Sequence, residues 1–238
     1  MPHTIGSLPE PAALGTKTLY FPIAMLDENL TETEYKEKMN EYLSFEIDSP
    51  TRLRKTREIL MNVWYYDSEE ITPIRQEALK LMKAHPECDT ALHLCLMYLA
   101  YPVVADICTF MGRLFAYQDE VTNTVLNQKL YDEWGERTTL QTTCRRVTLT
   151  LKDMGILENE TRFRYRLNKQ NILNTDVVNF MLSVAMKVED SGYYPFVGLT
   201  DFSMLFPFKY HVTKEQIMEC PKFSISNFGG ELSISLND

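Results

Sequence analysis

Few residues in this chain have the type and spacing that chemistry needs. Cys144 follows two threonines and precedes Arg145 and Arg146, and neighbouring cations can lower a thiol's pKa. No histidine lies near it in sequence, and a nucleophile needs a base, so we expect no catalysis there. Cys88, His93 and Cys95 fit no common zinc spacing, and His93 and Cys95 fall on an apolar helix, which reads as core rather than a metal site. No glycine-rich phosphate loop is present, since Gly229-Gly230 reads as a turn and the other glycines are isolated. The acidic helix from Glu32 to Glu46 spreads its charges instead of pairing them. These residues predict no enzyme, no cofactor and no small-molecule substrate.

The basic residues form the stronger pattern. Residues 137–169 hold eight positive and three negative side chains, within a chain of net charge −9. The cations are Arg137, Arg145, Arg146, Lys152, Arg162, Arg164, Arg166 and Lys169. Such clusters bind phosphate backbones by charge and counterion release. A second group, Arg52, Arg54, Lys55 and Arg57, lies on one helix, with Arg54 and Lys55 pointing away from its apolar face and Arg52 and Arg57 on the flanks. Both groups, apart from Arg137, are candidate DNA-binding residues. The competing reading pairs these arginines with the acidic N-terminal helices.

The elements that would carry them can be read from periodicity. Thr31 caps a helix beginning at Glu32, with Glu34 at the capping-box position. Ser49-Pro50 starts the basic helix, and Thr72-Pro73 opens another that runs to about Ala84. Ala91 to Tyr117 is the most apolar stretch, the one place where a bilayer span has to be considered. It carries His93, Asp106 and Arg113, and Pro102 near its middle, so we read two buried helices broken before Pro102 and no membrane span. Val121 to Trp134 reads as a helix. Thr138 to Met154 reads as another, with Leu140, Val147, Leu151 and Met154 on one face and Gly155 as its stop. Ile156 and Leu157 then lead into a polar turn, Glu158 to Thr161. Arg162 to Leu167 alternates strictly, arginines on one face and Phe163, Tyr165 and Leu167 on the other, which predicts a half-buried strand. Helix, glycine, apolar pair, short turn and basic strand together form a winged helix-turn-helix signature. Asn174 or Thr175 caps a further helix, Tyr193 to Phe208 reads as a loop packed on the core, and Phe223 to Leu236 as a closing hairpin.

The expected fold is mainly α: a helical N-terminal bundle with a winged helix-turn-helix-like C-terminal part and short β-hairpins. The divisions are a flexible arm at 1–17, a helical domain at 18–117 and a winged-helix-like domain at 118–238. Five cysteines without a CxxC pair suggest reduced thiols, and the first fifteen residues show no signal-peptide pattern, so a cytoplasmic location is expected.

The run SPTRLRKTREILMNVW, the apolar ALHLCLMYLAYPVVADICTFMGRLFA, Trp134 and TTLQTTCRRVTLTLKDMGIL resemble the BrxA family of BREX (bacteriophage exclusion) defence operons. The resemblance covers about Glu32 to Leu157 and lies in helix order with arginine, proline, tryptophan and glycine landmarks. It implies a non-enzymatic, mostly helical, cytosolic component that binds double-stranded DNA, with other defence-complex proteins as further partners. A protein–protein adaptor of such a complex and a winged-helix transcription regulator remain open alternatives.

Overall fold

The computed structural model describes residues 29–66, 68–136, 138–161, 164–228 and 231–237. The predicted arm at 1–17, the turn at Gly229-Gly230, and Arg137, Arg162 and Phe163 lie outside them. Ten α-helices and eight short strands occur among the described residues, so the protein is mainly helical.

Helix α1 spans Glu32–Ser44 and buries Tyr35, Met39 and Leu43. The Thr31 hydroxyl accepts from the Glu34 amide while the Glu34 carboxylate accepts from Thr31 N at 2.9 Å, closing the capping box. Helix α2, Pro50–Trp64, starts where the Ser49 hydroxyl accepts from Arg52 N at 3.5 Å. Its buried side runs from Thr56 to Trp64. The last turn of α2 is closed by the buried Arg75, whose Nε donates to Val63 O at 3.1 Å and whose Nη2 donates to Tyr66 O at 2.8 Å. That cation meets carbonyls which a helix end leaves unpaired. Arg75 belongs to α3, Ile71–Ala84. The α3 start lies one residue ahead of Thr72, because the Ser68 hydroxyl accepts from Ile71 N at 3.0 Å.

The apolar stretch divides as its proline requires. Helix α4 is Asp89–Ala100 and α5 is Pro102–Phe115, with Tyr101 extended between them at φ −138° and ψ 89°. Residues 89 to 98 are all buried. No helix among the described residues is long and apolar enough to cross a membrane.

After α5 come strand β1 (Glu120–Thr122), helix α6 (Asn123–Trp134), helix α7 (Thr138–Asp153), and strands β2 (Leu157–Thr161) and β3 (Arg164–Leu167). Two expectations are corrected here. Val121 does not open the α6 helix: it is fully buried in β1 opposite Tyr165, and the Thr122 hydroxyl caps α6 by accepting from Val125 N at 3.5 Å. Residues Glu158 to Thr161 are not a free turn but most of β2, drawn into pairing by β3 with a register shift between Glu158 and Thr161. The three strands form an antiparallel sheet in the order β1–β3–β2. Helix α7 ends in a Schellman arrangement: Ile156 N donates to Leu151 O, Gly155 N donates to Lys152 O, and Gly155 takes φ +73°.

The rest of the chain packs back on this framework. Helix α8, Thr175–Glu189, is capped by Asn174 Oδ1 accepting from Val177 N at 3.0 Å, and lies against α4. Strands β4 (Gln170–Asn171) and β6 (Phe208–Lys209) pair in parallel. Strand β5 (Tyr194–Pro195) joins the hairpin of β7 (Phe223–Phe228) and β8 (Glu231–Leu236) in the order β5–β8–β7. Between β5 and β6 lies the short helix α9 (Phe196–Leu199), and α10 (Lys214–Glu219) precedes β7. A 3-10 turn at Ser203–Leu205 crosses α5 at Gly112, where a Cβ would meet Ser203 O at 1.9 Å. Tyr98 donates to Met204 O at 2.6 Å, and Phe115 stacks on Phe206. Buried side chains from Tyr35 to Ile234 belong to one continuous cluster.

Candidate nucleic-acid interface

The basic candidates fall into two groups. The first lies on α7 and the β2–β3 hairpin. Helix α7 buries Leu140, Thr143, Cys144, Val147, Thr148 and Leu151. That leaves Thr142, Arg145 and Lys152 exposed on a face three and seven residues along, with Leu149 half-buried between them and Arg146 half-buried on the flank. Arg164 and Arg166 are exposed on β3, while Tyr165 between them is buried and Leu167 half-buried. Tyr165 sits under the sheet with its hydroxyl accepting from Asn123 Nδ2 and Thr148 Oγ1, both at 3.4 Å. The period-two alternation thus has a physical cause, one ring held by α6 and α7. Lys169 is exposed in the link to β4.

Arg164 and Arg166 are not wholly uncompensated. Glu120 of β1 stands across the ladder, its Oε2 3.3 Å from Arg164 Nη1 and its Oε1 3.0 Å from Arg166 Nη2. For these two arginines the acidic partner shown is a strand neighbour, Glu120. Both guanidinium side chains stay accessible, at 63% and 50% relative exposure, so one carboxylate is shared by two open cations. Exposed ion pairs of this kind contribute little, about 0–1 kcal/mol.

The second group lies on α2. Arg54 and Lys55 are exposed, and Arg52 and Arg57 are half-buried. Arg57 is held by Glu58 at 2.7 Å and by Asn40 Oδ1 at 3.0 Å. Helix α2 packs on α1 and α4, whereas α7 packs on α6, β2 and α5. The two groups therefore sit on different layers of the fold.

The residues set aside as non-catalytic are deeply enclosed. Burial pushes the Cys144 thiol up to about 12, which removes the thiolate a nucleophile needs. Burial lowers His93 to about 3, and its ring packs edge-on to Trp64 at 4.8 Å. Among the described residues no group of three or more His, Cys, Asp or Glu could hold a metal ion. Two contributors were not singled out from the sequence: Glu120, and Tyr101 beside the α2 cations. The signal for Tyr101 was its place before Pro102, where the backbone must be extended. Comparison with protein-family models, with curated proteins and with solved structures finds no match to this chain.

Proposed function

We propose that α5 through β3 form a winged helix-turn-helix module, and that the chain holds double-stranded DNA through it without catalysis. Helix, strand, two helices and a hairpin follow one another, and the first strand pairs with the last. In that arrangement α7 takes the part of the recognition helix, which docks in the major groove. The β2–β3 hairpin takes the part of the wing. The observation that carries the reading is the exposure of Arg164 and Arg166 on a hairpin that leaves α7 directly through Gly155. Arginine keeps its charge at physiological pH and forks onto phosphate oxygens. Arg145 and Lys152 would add to the same surface, and phosphate contacts of this kind confer affinity without sequence preference.

The place of the chain in a BREX-type phage-defence complex, in the cytoplasm, is the part of the proposal that rests on the pattern resemblance to BrxA. Titrating duplex DNA across a salt series tests the reading. Log affinity should fall linearly with log salt, by about 0.9 for each phosphate neutralised. A chain that binds no duplex at low salt would contradict it. Glu120, wedged between the two arginines, favours one second reading, an adaptor whose hairpin holds an acidic protein partner. The same titration separates the two, since an adaptor needs no duplex affinity.

A further inference from the structure

The cleft between α2 and the start of α5 belongs to neither reading. Its volume of about 470 Å³ lies within the usual range of small-ligand sites, roughly 300–1,000 Å³. Arg54, Lys55, Arg57 and Glu58 line it together with Asn62 and Tyr101. Glu58 is the one anion of that set, and both of its oxygens are occupied. Oε1 accepts from Arg57 Nε at 3.1 Å and Nη2 at 2.7 Å, and Oε2 accepts from the Tyr66 hydroxyl at 3.0 Å. Arg57 Nη1 donates to Asn40. A guanidinium carries five N–H donors, so two of those of Arg57 have no acceptor among the described residues.

Tyr101 adds an independent sign. It is 6% exposed, and its hydroxyl accepts from Asn62 Nδ2 at 2.9 Å. The hydroxyl's own proton meets no acceptor among the described residues. Burial pushes the phenol up to about 12, against the lowering hydrogen bond from Asn62, so it remains a donor at neutral pH. The hydroxyl lines the cavity that the cations line, where a ligand acceptor can take its proton. The open groups are therefore donors and cations, and the complementary ligand is anionic and rich in oxygen acceptors. A phosphate, with several terminal oxygens, matches a guanidinium fork beside further donors better than a carboxylate does.

We propose that this cleft is a binding site for the phosphate group of a phosphate-bearing ligand, held by Arg54, Lys55, the open N–H groups of Arg57 and the Tyr101 hydroxyl. The phosphate can come from a small phosphorylated compound or from a nucleic-acid backbone, and the test distinguishes them. Inorganic pyrophosphate is titrated calorimetrically into the full chain, into Arg54→Gln/Lys55→Gln and into Tyr101→Phe, with melting temperatures recorded for each. Saturable binding is expected, weakened at least tenfold in the double variant and several-fold in Tyr101→Phe. Arg54 and Lys55 are exposed, so the double variant carries the test even if Tyr101→Phe unfolds. The titration is repeated with saturating duplex. Pyrophosphate that still binds identifies a small compound as the source, and pyrophosphate that is displaced, with duplex affinity lowered in the double variant, identifies a backbone phosphate. Arg164→Gln/Arg166→Gln should keep its pyrophosphate affinity, which separates this site from the hairpin surface. No binding, binding undiminished in both cleft variants, or loss confined to the hairpin variant would overturn the proposal.

Discussion

Nε1 of Trp134 donates a 2.7 Å hydrogen bond to Oδ2 of Asp106. It links the end of α6 to the middle of α5, and it accounts for a charge in the most apolar stretch of the chain. Asp106 is not a residue strayed into a membrane segment; it is the acceptor that fixes one helix of the basic module against another. A hydrogen bond to a charged group contributes about 1.5–3 kcal/mol. Trp134→Phe should lower stability by roughly that amount plus lost packing, and Asp106→Asn, which keeps an acceptor, by less. Denaturant melts of the two variants check the order, and equal losses would contradict it.

Gly112 is needed for space rather than for its backbone angles. A Cβ there would meet the carbonyl oxygen of Ser203 at 1.9 Å and force the 3-10 turn off α5. Overpacking typically costs about 1–3 kcal/mol. Gly112→Ala should lower the melting temperature and speed amide exchange at residues 203–206. A variant as stable as the parent would show that the tail does not pack on α5.

His93 gives the fold a defined pH dependence. Burial lowers it from the usual 6.5 to about 3, so it is neutral when folded, whereas the unfolded chain takes up the proton below about pH 6.5. Its contribution is fully present above about 6.5 and is lost as the pH falls towards 3. The slope from this one group approaches about 1.4 kcal/mol per pH unit within that window. Between about pH 6 and pH 5, His93→Gln should flatten the dependence of stability on pH relative to the parent chain. An unchanged slope would mean that His93 is protonated in the fold or reached by water.

Glu120 tempers the hairpin. Glu120→Gln removes the carboxylate shared by Arg164 and Arg166 and costs at most about 1 kcal/mol of stability. Duplex affinity should rise, with a salt slope steeper by up to about 0.9 for each further phosphate neutralised. Equal affinity in gel shifts at low salt would show that the two arginines do not face DNA.

Legibility in the sequence followed the length and punctuation of each element. Pro102, Ser49-Pro50 and Gly155 mark boundaries by their own backbone chemistry, and those boundaries stand in the structure. Strand β1 could not be read this way. Its three residues are too few for a period, and Val121 is strand because Tyr165, far along the chain, pairs with it. The stretch Glu158 to Thr161 has turn-like composition and becomes strand for the same reason, a partner that local propensity does not reveal. The alternation around Tyr165 identified the arginine face, yet Glu120 was invisible as its counter-charge, since cross-strand neighbours are set by register. The α2 cations were legible as a group, but the cleft beside them depends on where the helix break sends Tyr101, a tertiary outcome.

The most direct measurement is the salt dependence of duplex binding by Arg164→Gln/Arg166→Gln against the parent chain. Both arginines are exposed, so folding should change by no more than about 0.5–1 kcal/mol. If each neutralises one phosphate, the slope of log affinity against log salt becomes shallower by about 0.9 per arginine, roughly 1.8 in all, and by the same amount on unrelated duplexes. A folded variant that binds DNA with the parent's slope would contradict the hairpin's role as a wing on the duplex.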